Sequence, residues 1–89
     1  MPYRVEISSA AGRDLKRLTG PARDDIETAI SSFASDPRPK GCRKLAGWVR
    51  RYRQGIGHFR LIYDIYEPEQ IVVIARVIRR GETTYRRLR

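Results

Sequence analysis

The residues best suited to chemistry in this sequence are arginines set at strand spacing within 48–63, WVRRYRQGIGHFRLIY. Side chains alternate between the faces of a strand, so Arg51 and Arg53 share a face about 7 Å apart. Beyond a turn region at Gln54–Gly57, Phe59, Leu61, Tyr63 and Ile65 form one row, and Arg60, Ile62 and Asp64 form the other. The apolar row has to face a core, which turns Arg60 to the opposite side. Arg51 and Arg53 join it there if the hairpin register allows. Arginine contacts phosphate bidentately and stacks on bases, whereas lysine is more a point charge. A rigid sheet face carrying several arginines is suited to holding a polyanion.

The charge distribution agrees. Of the 89 residues, 1–37 carry five Lys/Arg against six Asp/Glu, while 38–89 carry fourteen Lys/Arg, twelve of them Arg, against four acids. Such asymmetry points to nucleic acid or an acidic protein. No apolar run approaches the ~20 residues of a membrane span, and MPYRVEISS has no signal pattern. The expectation is a cytoplasmic protein without a membrane partner. The single Cys42 can form no internal disulfide and has no metal-site spacing, so an inert thiol is the simplest account. The only histidine, His58, falls in or beside the turn. Its pKa range suits proton transfer, but an exposed turn residue is the more economical account.

The rest of the chain must position that hairpin. Tyr3, Val5 and Ile7 alternate with Arg4 and Glu6, predicting a half-buried strand over 2–8. Ser8 or Ser9 can cap a helix running to about Leu18. Thr19-Gly20-Pro21 stops it and starts another, since proline suits a first helical turn. Ile26, Ala29, Ile30, Phe33 and Ala34 give the second helix, 21–35, a continuous apolar stripe, which Asp36-Pro37 ends. Residues 37–47 read as a basic loop anchored by Leu45. After a turn at Glu67-Pro68-Glu69, Ile71–Ile78 is almost wholly apolar, as a central strand covered on both faces should be. Arg76 within it would pair with a carboxylate such as Asp64. Tyr52 and Tyr63 read as core or sheet-face residues, and Trp48 as a packing anchor. The chain ends in a short basic tail. The predicted fold is α+β in the order β-α-α-β-β-β, one domain over 1–89, with a helical hairpin on a four-stranded, mostly antiparallel sheet.

These residues also resemble a known family. YRVEISSAAGRDLKRL, then DPRPKGCRKLAGWVRRYRQGIGHFRLIYDI, a valine-rich strand ending VIRR and a late tyrosine are similar to the RelE/ParE superfamily of toxins from type II toxin–antitoxin pairs. The most specific part is the basic strand followed by Gly57-His58-Phe59-Arg60-Leu61-Ile62-Tyr63. The resemblance implies the RelE-like toxin fold and a toxin that enters the ribosomal A site and cuts mRNA without a metal or other cofactor. The ribose 2′-OH attacks its adjacent phosphate. Implied site residues are Arg51, Arg53, Arg60, Arg80 (or Arg79) and Tyr85. Implied partners are a RelB-like cognate antitoxin, mRNA and ribosomal RNA in the A site, and operator DNA only through the antitoxin complex.

Within that scheme Arg60 stabilises charge on the reacting phosphate, Arg51 and Arg53 hold flanking phosphates, and Arg80 neutralises or protonates the leaving oxygen. Tyr85 stacks on or orients the target nucleotide. Lys44, Arg50, Arg79 and Arg86 add RNA contacts, and Arg50 or Arg51 can also meet the acids of an antitoxin. Arginine moves protons poorly. Where many family members offer Lys or His, this chain has Arg, so His58 and Glu82 are the remaining candidates for a base. Two other functions stay open: a ParE-like inhibitor of DNA gyrase with the same fold, and a basic nucleic-acid-binding module without catalysis.

Overall fold

Alternation in the strands and the apolar stripes of two helices produce a mixed sheet backed by a helical layer. The computed structural model describes residues 2–81. β1 (Arg4–Ile7) leads through Ser8 into α1 (Ser9–Lys16), and α2 (Gly20–Ser32) follows. Then come β2 (Arg43–Lys44), β3 (Arg51–Ile56), β4 (Phe59–Tyr66) and β5 (Ile71–Arg79). The sheet order is β1-β5-β4-β3-β2. β1 runs parallel to β5 and every other pairing is antiparallel. Ser8 is the α1 cap, its hydroxyl accepting the Ala11 N–H at 3.1 Å. No helix among the described residues is long and apolar enough to cross a membrane.

The predicted class forms, with β5 second in the sheet as its apolar run required. Three details differ from expectation. The sheet has five strands among the described residues, because part of the 37–47 loop pairs. Arg43 lies opposite Arg53 and Lys44 opposite Tyr52, along an edge of β3 that would otherwise be bare. The hairpin turn is tighter than Gln54–Gly57: Ile56 pairs with Phe59, leaving only Gly57 and His58 between the strands. Gly57 has φ +56°, and a two-residue hairpin turn favours glycine at such a position. Gln54 and Gly55 therefore belong to β3. Finally, β5 carries a bulge. Ile62 pairs with Arg76 but Tyr63 pairs with Ile74, which leaves Ala75 as an extra residue.

The main core lies between the sheet and the helices. Leu61, Tyr63, Ile65, Val72, Ile74 and Val77 meet Ala11, Leu15, Ile26, Ile30 and Phe33. Tyr63 is fully buried with its ring centroid 4.3 Å from that of Phe33. Its hydroxyl donates to the Pro37 carbonyl at 2.8 Å, which satisfies the one polar atom of the ring. Burial pushes this phenol well above its ordinary range. A smaller cluster of Leu45, Ile62 and Ile78, with Trp48 and Ala75 against it, covers part of the other face. Leu45 is thus the anchor the sequence suggested, seated on the face away from the helices.

β1 reaches only Ile74 on β5, so among the described residues the outer edge of β5 beyond that point has no neighbouring strand. The start of α1 takes its place. The Ser8 hydroxyl donates to the Ala75 carbonyl at 2.9 Å. The buried Asp14 carboxylate accepts the Val77 N–H at 2.8 Å and the Arg76 guanidinium at 2.7 and 3.1 Å. Arg76 therefore pairs with Asp14 rather than Asp64. Replacing Asp14 with Ala strips partners from both a backbone N–H and a partly buried guanidinium. Asp14→Ala is expected to lower unfolding free energy by about 2–4 kcal/mol in urea denaturation. A loss below about 1 kcal/mol would show that the strand edge finds other partners.

A second tie joins the start of β1 to the β4–β5 turn. The Tyr3 hydroxyl donates to Glu67 at 2.8 Å, and Arg38 sits 2.8 Å from the same carboxylate. The Tyr3 hydrogen bond, then Arg38, hold the Glu67 carboxyl below its ordinary value of 4.5. A depressed carboxyl pKa stabilises the fold above the unfolded-state value, and that stability is lost as pH falls through the folded-state value. The wild-type protein is thus expected to melt above Glu67→Gln from neutral pH down to about 4.5, the two melting temperatures converging at lower pH. A gap that persists unchanged at the most acidic pH would contradict this assignment.

Candidate functional site

Pairing fixes which side chains share the face away from the helices. Leu61, Tyr63 and Ile65 of β4 enter the main core, so Arg60, Ile62 and Asp64 face the other way. Directly paired residues share a face. Arg53 lies opposite Ile62, Arg51 opposite Asp64 and Gly55 opposite Arg60. The register therefore does what the sequence required for Arg53 and Arg60.

Arg80 joins them from beyond the end of β5. Its backbone N–H donates to the His58 carbonyl at 2.8 Å. Its Nη1 donates to the Gly57 carbonyl at 3.4 Å, and its guanidinium lies over Gly55. Arg53, Arg60 and Arg80 thus converge around one glycine. Arg43, opposite Arg53 on β2, extends the group toward the sheet edge. Sequence reasoning missed Arg43, because a proline- and glycine-containing segment gave no alternation from which to assign a face. Among the described residues Arg43, Arg53 and Arg80 make no ion pair. Like charges placed directly opposite each other destabilise a sheet. Guanidinium groups gathered in this way on one face have the chemistry to suit phosphate or carboxylate.

Arg51 behaves differently, although it shares this face. It is only 6% exposed and grips Asp64 through two hydrogen bonds, Nε–Oδ1 at 2.7 Å and Nη2–Oδ2 at 2.8 Å. Its guanidinium also lies 4.3 Å over the Trp48 ring. The Asp64 hydrogen bonds raise the Arg51 pKa against the opposing effect of burial. The expectation that Arg51 holds a phosphate gives way to a structural one: it is a buried cross-strand ion pair.

The other nominated residues scatter. Arg79 lies 5.2 Å over the Phe59 ring, on the helix side of the sheet, so of the two consecutive arginines only Arg80 shares the face of Arg60. Lys44 pairs with Tyr52, whose row faces the helices. Arg50 covers the Tyr66 ring at 4.8 Å, and Tyr66 is six residues, roughly 20 Å, along β4 from Arg60. His58 is an exposed turn residue. Tyr85, Arg86 and Glu82 lie outside the described residues. Among the described residues no cluster of three His, Cys, Asp or Glu side chains is placed to hold a metal.

Comparison with known proteins places this architecture. Residues 5–84 match the family described as ParE toxin of the type II toxin–antitoxin system parDE. The toxin RelG of Mycobacterium tuberculosis is 37% identical over 93 residues, spanning 98% of this chain and all of that protein. The archaeal RelE–RelB complex of Pyrococcus horikoshii contains a chain that superposes with a TM-score of 0.81 at 24% identity, over 93% of this chain and all of that one. A double mutant of the E. coli toxin RelE in the free state gives 0.83 at 18% identity, over 99% of this chain and 94% of that one. These two likenesses are of fold. The family match over most of the chain and the relationship to RelG say more: this chain belongs to the RelE/ParE superfamily of toxins of type II toxin–antitoxin systems.

Proposed function

We propose that this toxin is an endonuclease that cuts mRNA in the ribosomal A site, restrained by a cognate antitoxin. The observation that carries this reading is the convergence of Arg53, Arg60 and Arg80 on one sheet face around Gly55. In the reaction a ribose 2′-oxygen forms a bond to its adjacent phosphorus, and the bond to the next nucleotide's 5′-oxygen breaks. The 2′-hydroxyl gives up a proton and the 5′-oxygen gains one, leaving a cyclic phosphate. Negative charge builds on the phosphoryl oxygens, where preorganised cations act most strongly. Arg60, at the centre of the group, takes that role. Arg53 and Arg43 hold flanking phosphates, and Arg80 faces the leaving oxygen. The arginines do not exchange protons at neutral pH. Proton transfer falls to the A-site surroundings or to His58, and Tyr85 orients the nucleotide.

Toxins of this fold are held by antitoxins in the P. horikoshii RelE–RelB complex. An acidic segment laid over the same arginines would neutralise this chain by occupying its phosphate sites. The matched family description favours one second reading, inhibition of DNA gyrase in the manner of ParE. Primer extension on a defined message, in a purified translation system with and without ribosomes, separates the two. Cuts within the A-site codon that require ribosomes support the endonuclease. An intact message together with loss of supercoiling activity supports gyrase inhibition.

Arg60 and Arg51 should separate in the same assay. Arg60→Ala is expected to lower cleavage about 10²–10³-fold with little change in melting temperature. Arg51→Ala leaves the largely buried Asp64 carboxylate unpaired, and is expected to cost about 2–4 kcal/mol of stability. Its loss of activity should follow its loss of folded protein. A folded Arg60→Ala protein that cleaves at the wild-type rate would remove Arg60 from the site.

A further inference from the structure

Gly55 sits inside β3, where glycine weakens a strand and needs a reason. The backbone supplies none. Gly55 is not among the residues with positive φ, and the β3–β4 register runs unbroken through it. The space above it does supply one. A Cβ built at position 55 would stand 3.3 Å from Arg80 Nη1 and 3.8 Å from Arg80 Cζ. The guanidinium of Arg80 therefore occupies the room that a side chain at 55 would take. Position 55 is paired with Arg60 and lies two residues from Arg53 on the same face. A strand residue at 55 would point between them, and Arg80 is laid into that gap instead.

We infer that Gly55 is a positioning residue. By having no side chain, it forms a seat in which Arg80, held by the Gly57 and His58 carbonyls, lies beside Arg53 and Arg60 and presents a third guanidinium to the RNA phosphates. The importance of Arg80 to cleavage rests on the function proposed above; the seat itself does not. The contact is with the far end of a flexible side chain, so Ala at 55 displaces Arg80 slightly and a β-branched residue displaces it fully. β-branched residues suit strands, so Gly55→Val should keep or raise the melting temperature while the site loses its third cation.

The test is a double-mutant cycle on ribosome-dependent cleavage. Arg80→Ala and Gly55→Val are each expected to lose about a hundredfold, Gly55→Ala less. The double variant Gly55→Val/Arg80→Ala should lose no more than Arg80→Ala alone, because Gly55 acts only through Arg80. Wild-type cleavage by a folded Gly55→Val protein overturns the inference. So does a double variant that loses the product of the two single effects. If the wild-type protein does not cleave at all, the proposed function fails and the seat is decided by NMR of the Arg80 Nε–H group. A distinct signal in the wild type that moves to the position of a free arginine in Gly55→Val supports the seat. An unchanged signal overturns it.

Discussion

Among the described residues, half of the outer edge of β5 has no strand beside it, and much of the molecule follows from how that edge is closed. β1 is four residues long and β5 nine. Bare strand edges leave backbone donors and acceptors without partners and invite pairing with other chains. Here the chain turns into α1 where β1 ends, and Asp14 reaches back to the Val77 N–H and the Arg76 guanidinium. One carboxylate thus stands in for a strand, holds α1 against the sheet and neutralises a cation within it. The second half of β5, which leads into Arg80, hangs from this contact.

The sheet uses arginine in two opposed ways. Arg51 and Arg76 are each matched to a carboxylate, Asp64 and Asp14, by paired hydrogen bonds. Arg43, Arg53 and Arg80 have no carboxylate among the described residues, and they occupy the same face as Arg60. The matched arginines act locally as neutral struts, while the unmatched ones leave a field above the sheet. In this chain the number of arginines says less about binding than the placement of its few acids. The apolar cluster of Leu45, Ile62 and Ile78 lies on the same face and gives the charged groups a firm floor.

Much of this was legible in the sequence. Alternation around Leu61, Tyr63 and Ile65 placed the core face of β4. The stripe of Ile26, Ile30 and Phe33 placed α2, and the apolar run at 71–78 placed β5 inside the sheet. What could not be read was register. The separation of Arg51 from Arg53 depends on which β4 residue stands opposite each: Asp64 for one and Ile62 for the other. Nothing in the spacing of the arginines marks Arg51 as buried. Similarly, β2 exists because β3 offers an edge, not because Arg43 and Lys44 have strand character of their own. The partner of Arg76 went wrong for a related reason, since Asp14 is 62 residues away and reaches it only across the helix–sheet interface.

The bulge at Ala75 sets a phase. Ile74 and Val77 both enter the main core although they are three residues apart, so the alternation of faces in β5 is offset by one from that point on. Counting evenly from Ile74 would send Arg79 to the open face and Arg80 toward the helices, the reverse of what is found. The choice between two identical neighbouring residues is thus written four residues upstream of the first, in a residue packed against Leu45, Ile62 and Ile78. Pairing Ala75 regularly, without the bulge, would leave every residue of the chain in place yet turn the end of β5 inside out, whereas deleting Ala75 would keep Arg79 and Arg80 on their present faces. When roles are carried between related toxins across this strand, the count should start at the bulge rather than at the strand's last residue.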